Sequence, residues 1–157
     1  MKASIFSFIV ICFTFINTPV AKAQTNNKPV LNHIAVYVHD LQKSSNFYHK
    51  IIGLELIEEP FKDGKHAWFT LGTQGQLHLI SGAKQDMEQI KDRHLCFSVA
   101  SIEDFISNLE NNKIGYSNWK GDGNIPTIRP DGVKQIYFQD PDRYWIEINN
   151  DSQQTTR

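Results

Sequence analysis

Residues 32–39 read NHIAVYVH, and residues 93–100 read RHLCFSVA. In the first stretch Ile34, Val36 and Val38 alternate with His33, Ala35 and Tyr37; in the second, Leu95, Phe97 and Val99 alternate with His94, Cys96 and Ser98. A period of two marks a strand with one apolar face, and each strand opens with a histidine on its other face. The sequence behind each strand also matches. Asp40 is placed to cap a helix over 41–52, with Leu41, Phe47, Tyr48, Ile51 and Ile52 on or near one stripe and Gly53 past its end. Ser101, with Asp104 three residues on, caps a second helix striped by Ile102, Phe105, Ile106 and Leu109. After the first helix the pattern predicts strands at 54–58, 66–71 and 76–81, punctuated by Asp63-Gly64 and by residues 72–75. After the second it predicts strands at 114–119, 133–139 and 143–149, with a Gly- and Pro-containing loop over 120–132 and a turn at Asp140-Pro141-Asp142. The reading is α+β: one βαβββ unit written twice, with module one over 30–82 and module two over 92–150. Two curved mixed sheets pair around a central cavity.

Composition bounds the rest. The chain has 157 residues, 16 Lys plus Arg against 17 Asp plus Glu, and 40% hydrophobic residues. That suits one domain with a real core and argues against disorder. A net charge of -1 argues against nucleic acid as a partner. The start reads differently from the body. Lys2, an apolar run over 5–16, Pro19 and Ala21-Lys22-Ala23 follow the order of a secretory signal peptide over 1–23, with a run too short for a membrane span. Cleavage before Gln24 removes Lys2, Lys22 and Cys12. It leaves 14 basic against 17 acidic residues, a charge of -3, and Cys96 alone. The expected product is periplasmic or secreted, without stable membrane association and without an internal disulfide. Residues 24–29 and 151–157 read as flexible ends.

Strand parity singles out four candidate metal ligands. His33 and His94 lie opposite the apolar faces of matching strands, 61 residues apart. His78, between Leu77 and Leu79, points away from the apolar face of its strand, and Glu147 does so between Ile146 and Ile148. Each module thus offers one ligand at its first strand and one at its last. Three imidazoles and a carboxylate suit one divalent ion: Zn, Ni, Co, Fe or Mn. A carboxylate can hold the ion and also accept a proton, which makes Glu147 the candidate catalytic base. Tyr37, Trp68, Trp119 and Trp145 are candidate pocket walls, and His66 shares the parity of Trp68. His39 and His49 read as surface residues. Cys96, on the His94 face, reads as an inert small residue or a site-lining thiol.

The motifs NHIAVYV at 32–38, Asp40-Leu41 with Phe47-Tyr48 and Gly53-Leu54, and YFQDPDRYWIEI at 137–148 resemble the vicinal oxygen chelate superfamily. That group includes glyoxalase I, bleomycin-resistance proteins, fosfomycin-resistance enzymes, methylmalonyl-CoA epimerase and extradiol dioxygenases. The resemblance spans about residues 30–149. It implies metal ligands at His33, His78, His94 and Glu147, a small-molecule substrate and a homodimer. Two departures stand out. Glyoxalase I usually has Glu where this chain has His78, and many members have Gly where this chain has Arg143. The set His33, His94 and Glu147 also matches the two-His, one-Glu site of extradiol dioxygenases with Fe(II). Three functions follow: a metal-dependent glyoxalase-like lyase or isomerase, an Fe(II) dioxygenase-like enzyme, or a small-molecule binding protein of the bleomycin-resistance type.

Overall fold

The computed structural model describes residues 28–85 and 88–151. The leader reading, and all of the tail beyond Asp151, lie outside the described residues. The elements run β1 (His33–Val38), α1 (Leu41–Lys50), β2 (Leu56–Ile57), β3 (His66–Thr70), β4 (Gln76–Ser81), β5 (His94–Ser98), α2 (Ile102–Asn111), β6 (Thr127–Ile128), β7 (Lys134–Gln139) and β8 (Trp145–Asn149). A single 3-10 turn, Gly72–Gln74, joins β3 to β4.

They form two open four-stranded sheets with orders β1-β4-β3-β2 and β5-β8-β7-β6. In each, the first strand runs parallel to the last and the rest are antiparallel. The expected α+β double βαβββ arrangement is what the chain adopts, and neither sheet closes into a barrel.

The registers of the sheets are related residue by residue. Ala35 pairs with His78 and Cys96 with Glu147; His78 in turn pairs with Trp68, and Glu147 with Tyr137. His33 and His94 therefore stand two residues before the partners of His78 and Glu147. The duplication holds at the level of individual side chains.

Both helices form where their caps predict. Asp40 accepts from the Lys43 amide at 3.0 Å, and Ser101 accepts from the Asp104 amide at 3.1 Å. Gly53 follows α1 with φ +84, the left-handed conformation that glycine adopts without strain. The apolar faces of both sheets and both helices share one core. Val38, Phe69, Leu79, Ile102, Leu109, Ile136, Ile146 and Ile148 are buried in it. Each such side chain contributes about 1.5–3 kcal/mol.

The modules are also locked by polar contacts. Tyr48 of α1 donates from its hydroxyl to Asp140 at 2.7 Å. Asp142 accepts from the His39 amide and from the Ser44 hydroxyl. Phe47 and Phe138 pack with ring centres 6.2 Å apart. Burial raises the Asp140 carboxyl to about 6, against the opposing pull of hydrogen bonds from Tyr48 and from the Tyr144 and Asp142 amides.

One predicted strand is reduced to a single bridge. Residues 114–119 meet β7 only where Ser117 pairs with Tyr137, the counterpart of Ile57 on Trp68. The chain turns away at once, because Asn118 Oδ1 accepts from the Gly121 and Asp122 amides and Gly121 takes φ +76. The remaining edge of β7 is covered by β6, which lies inside the stretch read as loop. The final turn keeps a glycine-like shape although it carries Arg143, whose φ is +69. That backbone costs an L-residue about 1–2 kcal/mol.

Candidate metal centre

The four predicted ligands stand as two pairs, one on the polar face of each sheet. His33 and His78 have ring centres 5.8 Å apart. His94 Nε2 lies 3.2 Å from Glu147 Oε2. Among the described residues no three His, Cys, Asp or Glu side chains are grouped to hold one ion. One chain therefore holds the four candidates as two separate pairs and does not bring the tetrad together. The reason is that the apolar faces of both sheets turn into the shared core, and the ligand faces turn away from it.

On module one, His78 is buried and its ring stacks on Trp68 at 3.8 Å. His66 Nδ1 is 2.7 Å from His78 Nε2, and Phe61 packs against His66 with ring centres 4.6 Å apart and planes tilted by 33°. Burial, with help from the neighbouring His66 and His33, lowers the His78 pKa, which keeps the ring neutral as metal ligation requires. His33 Nδ1 sits 2.8 Å from Asn32 Oδ1, which leaves Nε2 free. Ile57, Glu58, Pro60, Trp68 and Gln76 line a cavity of about 170 Å³ on the same side. The Trp68 indole N–H is buried with no acceptor.

On module two, Glu147 is buried and caged. Tyr137 donates from its hydroxyl to Oε2 at 2.7 Å. Gln135, Asn149 and the Cys96 thiol donate to Oε1 at 2.6, 2.9 and 3.3 Å. Burial alone would raise the carboxyl; the four donors outweigh it and hold the group below the usual glutamate range. Burial and the Glu147 charge push the Cys96 thiol up to about 12, so it is a donor and not a nucleophile at neutral pH. Burial, then Glu147, also raises the Tyr137 phenol.

The donor geometry fits a cation. His94 Nδ1 lies 2.8 Å from the Lys91 carbonyl oxygen, which can only accept, so Nδ1 carries the proton. In the neutral ring that leaves the Nε2 lone pair facing a carboxylate. A shared cation resolves this opposition, and the partner on the far nitrogen is the usual support of a ligating histidine.

Four residues escaped the sequence reading: Tyr137 and Asn149, which donate to Glu147, and Gln135 and Lys91. Gln135 occupies in module two the register position of His66 in module one, and each touches its module's last ligand. Lys91 lies outside any element. Its ammonium sits 4.5, 5.5 and 5.8 Å from the ring centres of Trp145, Tyr137 and Trp119, and donates to the Trp119 carbonyl at 3.0 Å. Burial lowers its pKa. No sequence signal marks it. The predicted wall residues divide between the two pairs: His66 and Trp68 flank His78, while Trp119 and Trp145 enclose Lys91. Tyr37 lies elsewhere. It lines a cavity at the seam between modules, with its hydroxyl against Gly82.

Comparisons with known proteins agree with this architecture. A lactoylglutathione lyase of Schizosaccharomyces pombe is 26% identical over 151 residues, covering 78% of this chain and 48% of that protein. This chain thus spans about half of that relative. An Arabidopsis thaliana protein named Glyoxylase I 4 is 29% identical over 129 residues, covering 76% of this chain and 70% of its own length. A glyoxalase/dioxygenase structure from Nostoc punctiforme superposes with a TM-score of 0.63 at 27% identity, covering 82% of this chain and 94% of that one. The family model described as Glyoxalase/Bleomycin resistance protein/Dioxygenase superfamily matches residues 30–148. The chain belongs to that superfamily.

Proposed function

We propose that the chain is a metal-dependent, glyoxalase-like lyase or isomerase acting on a small substrate that offers two neighbouring oxygen atoms. Its site is completed between two copies of the chain. The observation that carries this is the matched pair of outward-facing half-sites, His33 with His78 and His94 with Glu147, each held by its own supporting cage. His33 and His78 of one copy and His94 and Glu147 of the other would hold one Zn, Ni, Co, Fe or Mn ion. The chemistry supplied by such an ion is Lewis-acid polarisation of both substrate oxygens. Glu147 would be the group that accepts a proton from the carbon beside a substrate carbonyl. Trp68 and Trp145 exclude water from either side. The leader reading adds export to the periplasm or medium, which N-terminal sequencing of released protein tests.

Mixing two inactive variants tests the shared site. His33→Ala/His78→Ala destroys one half, and His94→Ala/Glu147→Ala the other. Unfolding and refolding them together regenerates about a quarter of the sites if each site spans two copies, and none if it lies within one chain. Metal content reports the outcome before any substrate is known. Activity follows with methylglyoxal, with and without thiols, on the Ni- and Zn-loaded protein. Absence of turnover with every thiol removes the narrow glyoxalase reading.

A second reading is favoured by the cage around Glu147. Four donors make the carboxylate a firm ligand and a weak base. That suits an Fe(II) dioxygenase-like enzyme using His33, His94 and Glu147. Oxygen uptake with Fe(II) and catechols separates the two.

A further inference from the structure

His94 opens β5, an edge strand, and its Nδ1 stands 2.8 Å from the carbonyl oxygen of Lys91. Lys91 lies in the irregular link between the modules, where no ladder of hydrogen bonds fixes a carbonyl. This one is fixed from the other end of the residue. The Lys91 ammonium sits 4.5 Å from the ring centre of Trp145, 5.5 Å from Tyr137 and 5.8 Å from Trp119. It donates to the carbonyls of Trp119 at 3.0 Å and Asn118 at 3.4 Å. Among the described residues no carboxylate pairs with it. Two further bonds pin the backbone on either side. The Trp145 indole donates to the Gln89 carbonyl at 3.1 Å, and the Arg93 amide to the Ile90 carbonyl at 3.0 Å.

Tyr137 joins the two ends of this arrangement. Its ring lies 5.4 Å from that of Trp119 and 5.8 Å from that of His94, and its hydroxyl donates to Glu147. The cage and the ligand pair therefore share one wall. A cation over an aromatic ring gains about 0.5–2 kcal/mol, and three rings with two carbonyl acceptors restrain a side chain that would otherwise sweep through solvent. Any residue type could supply the carbonyl; a long cation is what fills the cage. We propose that Lys91 is a positioning residue for the His94–Glu147 pair. Caging its ammonium fixes its carbonyl, and the carbonyl holds the imidazole with the proton on Nδ1 and the Nε2 lone pair toward Glu147. This rests on the reading of His94 and Glu147 as metal ligands. It extends the support of that pair to the loop carrying Asn118 and Trp119, a segment that contributes no ligand.

Full-length Lys91→Met, Lys91→Arg and Trp119→Leu test this against wild type. Trp119 is exposed, so its replacement opens the cage without touching the core. In metal-free protein, two-bond ¹H–¹⁵N correlation spectra report which His94 nitrogen carries the proton, the His94 signals being those lost in His94→Gln. Wild type and Lys91→Arg should show the Nδ1–H form, and Lys91→Met and Trp119→Leu a mixture with the Nε2–H form. Calorimetry with Zn or Ni should give roughly 10–100-fold weaker binding for Lys91→Met and a smaller loss for Trp119→Leu, with Lys91→Arg recovering most of the affinity. Retention of the pure Nδ1–H form in Lys91→Met overturns the proposal. So does an equal loss of affinity in Lys91→Met and Lys91→Arg, since the caged charge is then not what acts. Failure of wild type to bind either metal removes the metal-centre reading instead, and the tautomer measurement still decides whether Lys91 holds the ring.

Discussion

Replacing Tyr48 by Phe removes one hydroxyl and keeps the ring that packs in the core. That hydroxyl donates to Asp140 at 2.7 Å across the seam. A hydrogen bond to a charged group contributes about 1.5–3 kcal/mol and one to a neutral group about 0.5–1.5. Asp140 moves between these regimes within reach of experiment, because its carboxyl rises from the ordinary 3.8 to about 6 in the fold. The proton is held more tightly folded than unfolded, so stability falls as pH climbs from about 4 to 6 and is level above. At ~1.4 kcal/mol per pH unit the full effect is about 3 kcal/mol. The Tyr48 hydroxyl pulls the carboxyl downward, so removing it lifts Asp140 further and the loss grows over the same climb. Urea unfolding at pH 8 should show a loss of about 2 kcal/mol, and at pH 5, with Asp140 mostly protonated, about 1 kcal/mol. A cycle with Asp140→Asn should return a coupling of about 1 kcal/mol or more at pH 8. A loss under about 0.5 kcal/mol at pH 8, or equal losses at both pH values, refutes the seam argument.

Other perturbations reach the half-sites and the turns. Tyr137→Phe deletes a donor to Glu147 and should weaken Zn or Ni binding roughly 10–100-fold by calorimetry; unchanged affinity would mean that the cage does not orient the carboxylate. Gly75→Ala places a Cβ 2.6 Å from the Asn32 carbonyl oxygen at φ +118 and should cost about 1–3 kcal/mol in thermal unfolding. Cys96, with its thiol near 12, should react with iodoacetamide at pH 8 on the order of 10³-fold more slowly than a free cysteine. Labelling at the free-cysteine rate would show that the thiol does not donate to Glu147.

The legible part of the molecule was whatever alternation controls. Parity put His33, His78, His94 and Glu147 on the polar faces, and the registers of Ala35 with His78 and Cys96 with Glu147 carry that symmetry into three dimensions. Parity does not say how two sheets lie relative to each other. Core packing decides that, which is why the tetrad appears as two pairs. Residues 114–119 had strand-like content, but the Asn118 side chain turned the backbone before a second pair could form. Gln135 went unseen because an uncharged glutamine on a strand face carries no distinctive signal, and only register reveals it as the counterpart of His66. Lys91 acquires its role from three rings brought together by separate segments.

The packing of α1 also bears on how such a chain could have arisen. Phe47 meets Phe138 and Tyr48 meets Asp140, so the first helix hides its aromatic edge against the second half. A half-length ancestor holding one unit would have carried that edge bare and could have folded only against a twin. Self-association would then precede duplication, and fusing the two genes would have made an existing partnership covalent.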